Sequence, residues 1–357
     1  MKKIVLNIFI LLFVTFIYSC NVAEHKNIYD GYAKYITSFP DTIELFGERI
    51  ELDNVGAKSI DCVDTFLVFA TSQLETFYTV YSTQTYKHLG DFIPKGMGKN
   101  EMANIAYPIF SKERNGEALL FLNDILNKEV KAFNITRSVN KSHTIFDEEN
   151  ISINNYLNSK YIYPISDSIY FCHIFDIQQK NDFYASYNKN TEHLKKLKDV
   201  YTTSLENIGN VFLFNSYGCF NPIQQKYATA MQFFNQINIY PYNSNTEAFS
   251  LIIGNKETEI KKVEKTNMPE KIEYYEDMIC TDEFIFAIYA NCTRKEWATS
   301  ENLSVDLHVF DWNGTPLCLI KLNEQIAKIA FDKNSNILYG MTLNEEVYKY
   351  DLQILKL

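Results

Sequence analysis

The sequence predicts an all-β chain folded as a six-bladed β-propeller with four-stranded antiparallel blades. Short apolar runs bounded by Asp, Asn, Ser and Gly recur almost throughout, which is the pattern of strands joined by turns. The 25 Tyr and 26 Phe residues favour strands over helices. A unit of apolar strands followed by a longer link returns about every 40–50 residues, the period of propeller blades.

The strand candidates are short and apolar. The clearest are residues 65–71, 77–81, 118–122, 168–175, 284–290 and 306–310. The run Asp311-Trp312-Asn313-Gly314 predicts a tight hairpin between 307–310 and 317–320, because Asn and Gly both tolerate positive φ. Long helical periodicity is missing, and the best helical candidates are 191–199 and 323–328.

Six units would fill residues 31–357, with room for an N-terminal strand. A β-sandwich or two smaller β domains are the alternatives. No linker rich in Pro, Gly or Ser marks a boundary, so we expect residues 31–357 to form a single propeller domain.

The N-terminus predicts export. Met1-Lys2-Lys3 precedes an apolar run over 4–18, and this run is shorter than the roughly 20 residues of a membrane-spanning helix. Ile17-Tyr18-Ser19-Cys20 looks like a bacterial lipobox. It predicts a lipoprotein signal peptide over 1–19, lipid on Cys20 and a tether over 20–30. An ordinary secretory signal with a chance cysteine is the alternative.

The charge balance excludes some partners. The formal net charge is −10, and removal of Lys2 and Lys3 makes it −12 (−10 − 2). Such a chain is unsuited to a phosphate backbone, so no nucleic-acid partner is expected. It is equally unsuited to a broad electrostatic hold on anionic lipid, so the membrane is expected to be reached through the lipid on Cys20.

Six further cysteines are widely spaced, with no C-x-x-C pair and no zinc-type cluster. They are Cys62, Cys172, Cys219, Cys280, Cys292 and Cys318. Most lie in apolar runs, which predicts free, buried thiols. An exported compartment permits disulfides, so at least one disulfide is the alternative.

Catalytic and cofactor motifs are missing from the sequence. The loop at Gly96-Met97-Gly98 lacks the ending of a P-loop and the third glycine of a dinucleotide fingerprint, and is expected to be a structural turn. No Gly-x-Ser-x-Gly or His-Glu-x-x-His run is present. Asp61 with Asp64, and the run 147–149, lack calcium-loop spacing and are interpreted as solvated acidic turns. We expect no cofactor, metal or catalytic residue.

Four residues are the candidates for a site. His173, inside an apolar strand, is expected to be a core or funnel-facing histidine, with Asp176 as its candidate partner. Arg294 and Trp297 lie in a polar insertion between two strands, and both residue types are favoured at binding hot spots. They are the candidate partner contacts.

Two local motifs accompany the lipobox and the repeats. After residues 89–92, Gly96, Gly98 and Glu101 match a Gly-x-Gly-Pro-x-Glu-Phe pattern in which Lys99 and Met102 replace the proline and phenylalanine. Near the C-terminus, 309–314 and 337–340 look like a strand, an Asp-x-x-Gly turn and an Ile-Tyr-Gly ending, with Leu338 inserted.

Together these features resemble the six-bladed, TolB-like propeller lipoproteins of Bacteroidetes. The resemblance implies the fold and a place in the cell envelope, and the family supplies no established catalytic residue to carry over. We expect a lipid-anchored protein, at the outer membrane, that serves as a binding or scaffold module for an envelope protein, a peptide or a glycan. The alternative is a hydrolase or lyase acting in the central funnel, which would require converging His, Asp, Glu or Arg residues there.

Overall fold

The computed structural model describes residues 28–29, 31–124, 126–127, 129–152, 158–203, 212–242, 247–300 and 303–353. The predicted signal peptide, Cys20 and most of the predicted tether lie outside these residues. The described chain is built from 26 strands arranged in six sheets, which confirms the predicted six-bladed propeller.

Three short strands precede the first blade. They are β1 (Tyr32–Ile36), β2 (Thr42–Leu45) and β3 (Glu48–Ile50). The next strands build blades I to III, each with four antiparallel strands. Blade I holds β4 (Ala57–Val63), β5 (Phe66–Thr71), β6 (Thr76–Ser82) and β7 (His88–Pro94). Blade II holds β8 (Pro108–Arg114), β9 (Glu117–Asp124), β10 (Glu129–Asn134) and β11 (Phe146–Ser152). Blade III holds β12 (Asn158–Pro164), β13 (Ile169–Asp176), β14 (Asn181–Asn188) and β15 (His193–Asp199).

Blades IV to VI each include one N-terminal strand. Blade IV holds β16 (Ser216–Asn221), β17 (Lys226–Met231), β18 (Gln236–Pro241) and β19 (Phe249–Ile253), with β1 parallel to β19. Blade V holds β20 (Ile272–Cys280), β21 (Phe284–Thr293), β22 (Val305–Asp311) and β23 (Pro316–Leu322), with β2 parallel to β23. Blade VI holds β24 (Ile326–Asp332), β25 (Ile337–Thr342) and β26 (Val347–Asp351), and β3 completes it antiparallel to β26.

Helices are few and short. They are α1 (Ile135–Lys141), α2 (Ile260–Lys265) and α3 (Arg294–Thr299), with a 3-10 turn at Met268–Glu270. The helices predicted at 191–199 and 323–328 are wrong, because these residues contain β15 and the start of β24. β15 pairs along β14, so the sheet overrides the helix-forming tendency of its lysines and leucines.

Six apolar clusters lie between the blades, one at each junction. Both faces of the middle strands are therefore buried, and β5 and β6 are apolar over most of their length rather than alternating. The cluster between blades III and IV is the most aromatic and includes Tyr29 from the N-terminal segment. Burial between neighbouring blades, rather than one central core, holds the ring together.

The hairpin from β22 to β23 is confirmed, but its turn differs from the predicted one. Gly314 has φ 76°, whereas Asn313 is not in the left-handed region. The Asp311 carboxylate accepts the N–H groups of Asn313 at 2.8 Å and Thr315 at 2.7 Å. This side-chain cap supplies the bend that the prediction assigned to positive φ at both residues.

The ring has two faces, named here by their connections. The linker face carries the links between blades, namely residues 51–56, 95–107, 200–203, 212–215, 254–271 and 323–325. It also carries the turns between second and third strands, within 72–75, 126–127, 177–180, 232–235, 294–300, 303–304 and 343–346. The hairpin face carries the turns between first and second and between third and fourth strands.

Candidate functional site in the central channel

The first strands of the six blades enclose a channel along the propeller axis. The cavity has a volume of about 2030 Å³. Its lining extends from Tyr107 and Ile177 at the linker face to Asp282 and Asn334 at the hairpin face. The cavity therefore spans the thickness of the ring, and we take it as the candidate site.

Two aspartates from blades I and V lie in this cavity. The Asp277 carboxylate accepts the Ile329 N–H at 2.9 Å, and its other oxygen lies 3.9 Å from Lys328 Nζ. Burial raises the pKa of Asp61 well above its ordinary value, and the nearby Asp277 raises it further. Burial also raises the pKa of Asp277, although Lys328 opposes this. The pair therefore keeps its protons to higher pH than ordinary aspartates.

Lys328 joins three blades at the channel wall. Its Nζ donates to the Glu276 carbonyl at 3.0 Å and lies 4.6 Å from the centre of the Tyr217 ring. Burial raises the pKa of Tyr217, so its hydroxyl remains a donor at neutral pH. The wall thus offers an ammonium, carboxyl groups and phenols within one region.

Tyrosines connect the inner strands of blades III and IV. Tyr161 donates to the Ser216 carbonyl at 3.0 Å, and Tyr163 donates to the Gly218 carbonyl at 2.7 Å. A Cβ at Gly218 would lie 2.4 Å from the Tyr227 hydroxyl, so this position has no room for a side chain. The Tyr227 ring thus packs against β16 within blade IV, while the Tyr161 and Tyr163 hydrogen bonds join β12 to β16 across the gap between the blades.

Three cysteines also line the cavity, Cys62, Cys219 and Cys280. All six cysteines of the described chain are free thiols, as predicted, although Cys62 and Cys280 are only partly buried. Burial raises the pKa of the Cys219 thiol well above its ordinary value, and contact with Cys280 raises it further. A protonated thiol is a weak nucleophile, so Cys219 is not activated for covalent chemistry.

His173 faces the interior of the blade III–IV junction. Its Nε2 lies 3.0 Å from Asp182 Oδ1, and its Nδ1 lies 3.0 Å from the Tyr227 hydroxyl. Lys160 Nζ is 2.7 Å from the same Asp182 oxygen. Burial lowers the pKa of His173 and favours its neutral form. His173 is thus a core histidine with its hydrogen bonds satisfied.

The predicted pairing of His173 with Asp176 is wrong. Residues three apart on a strand lie on opposite faces, so Asp176 does not reach the imidazole. Its carboxylate instead accepts the N–H groups of Gln178 at 2.8 Å and Gln179 at 3.0 Å. Asp182 reaches His173 because the hairpin from β13 to β14 places it diagonally across the sheet.

The predicted contact residues Arg294 and Trp297 lie on α3. A capping box between Thr293 and Glu296 starts this helix and turns the Trp297 ring inward, where it is 5% exposed. Trp297 therefore offers no indole surface to a partner, which corrects its assignment as a contact. Arg294 is half exposed, and its Nη1 lies 3.4 Å from the buried Glu273 carboxylate.

The channel residues were not predicted from the sequence. Asp61, expected to be part of a solvated turn, lies within β4. Its only signal was a charge between the apolar residues Ile60 and Cys62, and Lys328 carries the same signal between apolar neighbours in β24. Of the residues that the structure describes, no histidine or arginine lines the cavity, and no group of three or more His, Cys, Asp or Glu could hold a metal ion.

The model of the TolB-like six-blade propeller-like family matches residues 59–334. The chain belongs to this family. The match begins within β4 and ends just after β24, so it covers blades I to V, apart from β1 and β2, and the first strand of blade VI. A search of curated proteins found no match.

Two solved structures from Bacteroides share the family's propeller architecture. A member of the DUF4221 family from Bacteroides vulgatus has a TM-score of 0.52 at 10% identity, over 85% of this chain and 97% of its own. A protein from Bacteroides fragilis has a TM-score of 0.51 at 10% identity, over 90% of this chain and 98% of its own. At this identity the likeness shows the fold alone.

Within the described residues no helix is long and apolar enough to cross a membrane.

Proposed function

We propose that this TolB-like propeller is an envelope-anchored binding module that takes a peptide or glycan segment into its central channel. The cavity volume carries the proposal. At about 2030 Å³ it exceeds the roughly 300–1,000 Å³ of small-molecule pockets, so it suits a segment of a polymer better than a single metabolite.

The chemistry of the wall supports recognition. Asp277, Lys328 and Tyr217 supply acceptors and donors. Such convergent polar groups on a rigid apolar frame orient a ligand. A peptide backbone or a hydroxyl-rich glycan can use both kinds of group.

A steric block tests the channel. Ser111 is exposed and lines the cavity on β8, so Ser111→Trp should fill space without disturbing a core. Asn190→Trp, on an outer turn away from the cavity, is the matched control. Peptide and glycan arrays, followed by calorimetry on the hits, should show binding that Ser111→Trp removes and Asn190→Trp keeps. Equal binding by both variants would place the ligand outside the channel.

A hydrolase or lyase is the second candidate, favoured by the Asp61 and Asp277 pair. A carboxyl group with a raised pKa is the usual form of a general acid. Mass spectrometry of a bound ligand after incubation separates the two functions. An intact ligand supports the binding module, whereas fragments that disappear with Asp61→Asn would support an enzyme.

The anchor is proposed from the lipobox at Cys20. Growth with an alkyne-tagged fatty acid should label the wild-type protein, and Cys20→Ser should remove the label. Separation of the inner and outer membranes then tests the expected outer-membrane location. An unlabelled wild-type protein in the soluble fraction would refute the anchor without affecting the channel.

A further inference from the structure

Exposed apolar side chains are unevenly distributed between the two faces of the ring. Of the thirteen large hydrophobic side chains that are exposed in the described chain, ten lie on the linker face, two on β1 at the rim and one, Ile223, on the hairpin face. The ten are Phe46, Val55, Leu74, Met97, Tyr107, Leu126, Ile177, Phe212, Met268 and Leu343.

These side chains protrude all round the face. Leu74 is 90% exposed in blade I, Met97 is 80% exposed in the next link, and Phe212 is 66% exposed in the link to blade IV. Phe46 belongs to the same face because β2 runs parallel to β23, which leads into the link to blade VI. Exposed apolar groups gathered on one side of a molecule mark an interaction surface, whereas scattered ones need no explanation.

The N-terminal segment begins at this face. The Ile28 carbonyl accepts the Thr202 N–H at 2.8 Å, and Thr202 lies in the link between blades III and IV. Ile28 and Tyr29 are buried there, so the start of the described chain is fixed to the ring. Only seven residues separate Cys20 from Ile28, and the eight Cα-to-Cα steps between them (28 − 20) reach at most about 29 Å when fully extended.

The chain enters the ring at the linker face. The hairpin-face end of β15 lies a seven-residue strand, about 23 Å, further away, and would take up most of the reach of about 29 Å. A bilayer on the linker face is reached without this detour.

We propose that the linker face lies on the lipid bilayer and inserts its ring of apolar side chains into the membrane interface. The inference rests on the proposed lipid anchor at Cys20. The occupant is the bilayer itself rather than a protein partner, because the anchor attaches beside this face. The hairpin-face mouth of the channel then points away from the membrane.

Tryptophan quenching by brominated lipid tests this orientation. The full lipidated protein is reconstituted into phosphatidylcholine vesicles with or without dibrominated acyl chains, and vesicle flotation is recorded. Leu74→Trp and Phe212→Trp place the probe on the linker face, and Ile223→Trp on the hairpin face is the matched control. All three sites are exposed, and the native Trp297 and Trp312 are buried and give a constant background.

We expect the linker-face tryptophans to lose fluorescence in brominated vesicles while the Ile223→Trp signal is unchanged. Quenching of Ile223→Trp alone, or of none of the three in protein that floats with the vesicles, would overturn the proposal. Protein that fails to float would show instead that the anchor is wrong. The vesicles contain no peptide or glycan, so failure of the proposed ligand binding cannot produce either result.

Discussion

Blades IV, V and VI carry N-terminal strands on their outer edges, whereas blades I, II and III end in their own fourth strands. The covered outer strands are apolar, with the sequences FSLII in β19 and PLCLIKL in β23. Two of the uncovered strands are highly charged, FDEENIS in β11 and HLKKLKD in β15. Unpaired edges invite association with other chains, and charge discourages it. The ring thus protects its edges in two ways, by pairing in blades IV to VI and by charge in blades II and III.

Loss of the packing beneath β3 should have the largest effect on the free energy of unfolding. Ile50 is buried at the junction of blades VI and I, so Ile50→Ala should lower the free energy of unfolding by about 2–4 kcal/mol. Leu194→Ala on uncovered β15, where the side chain is only partly buried, is the control and should cost less. Urea denaturation measures both. Equal losses would mean that the N-terminal strands add no special support.

The attachment of β1 can be broken more locally. A Cβ at Gly31 would lie 2.3 Å from the Ala248 carbonyl oxygen, so Gly31→Ala should cost about 1–3 kcal/mol and speed hydrogen exchange in β1. Gly116→Ala is the control, because that glycine has φ 74° and no atom within 4 Å of the added carbon. It should cost about 1 kcal/mol from backbone strain alone and leave β1 protected.

The covered half also contains a buried carboxyl pair in blade V. Burial and the neighbouring Glu273 raise the pKa of Glu276 from 4.5 to about 9. The folded state keeps this proton while the unfolded state loses it, so stability should fall as pH rises from about 4.5 to about 9. The slope is at most about 1.4 kcal/mol per pH unit.

Glu276→Gln should remove this contribution. Denaturation at pH 5 and pH 8.5 should show wild type losing stability relative to the variant. An equal pH dependence of both proteins would contradict the raised pKa of Glu276.

The smallest change in stability is expected on the uncovered edge of blade III. Lys195 and Lys196 are exposed on β15, so replacing both with valine should change the free energy of unfolding by less than about 0.5 kcal/mol. It should nevertheless cause self-association, measured by light scattering. Lys321→Val on β23, which β2 covers, is the control and should remain monodisperse. Association of Lys321→Val alone would contradict the prediction that charge protects β15 while pairing protects β23.

The sequence predicted the strands of the blades better than the strand pairing that closes the ring. Strands such as β5 and β21 are local apolar runs, so the alternation of strands and turns along the chain was sufficient to find them. The pairing of β3 with β26 joins the two ends of the chain, and no local pattern encodes it.

The channel residues could not be predicted from the sequence for a similar reason. Asp61 and Asp277 are 216 residues apart (277 − 61), and only the closed ring brings them near each other. His173 was recognised as unusual, but its partner Asp182 lies across a hairpin whose register the sequence did not reveal.

The pairing of β3 with β26 also determines the order in which strands can pair during folding. Val347, which pairs with Ile50, follows it by 297 residues (347 − 50). At about 5–20 residues per second, a ribosome makes Val347 roughly 15–60 s after Ile50. The first strands to be synthesised are thus among the last to find partners, and the nascent ring remains open until its final blade is complete.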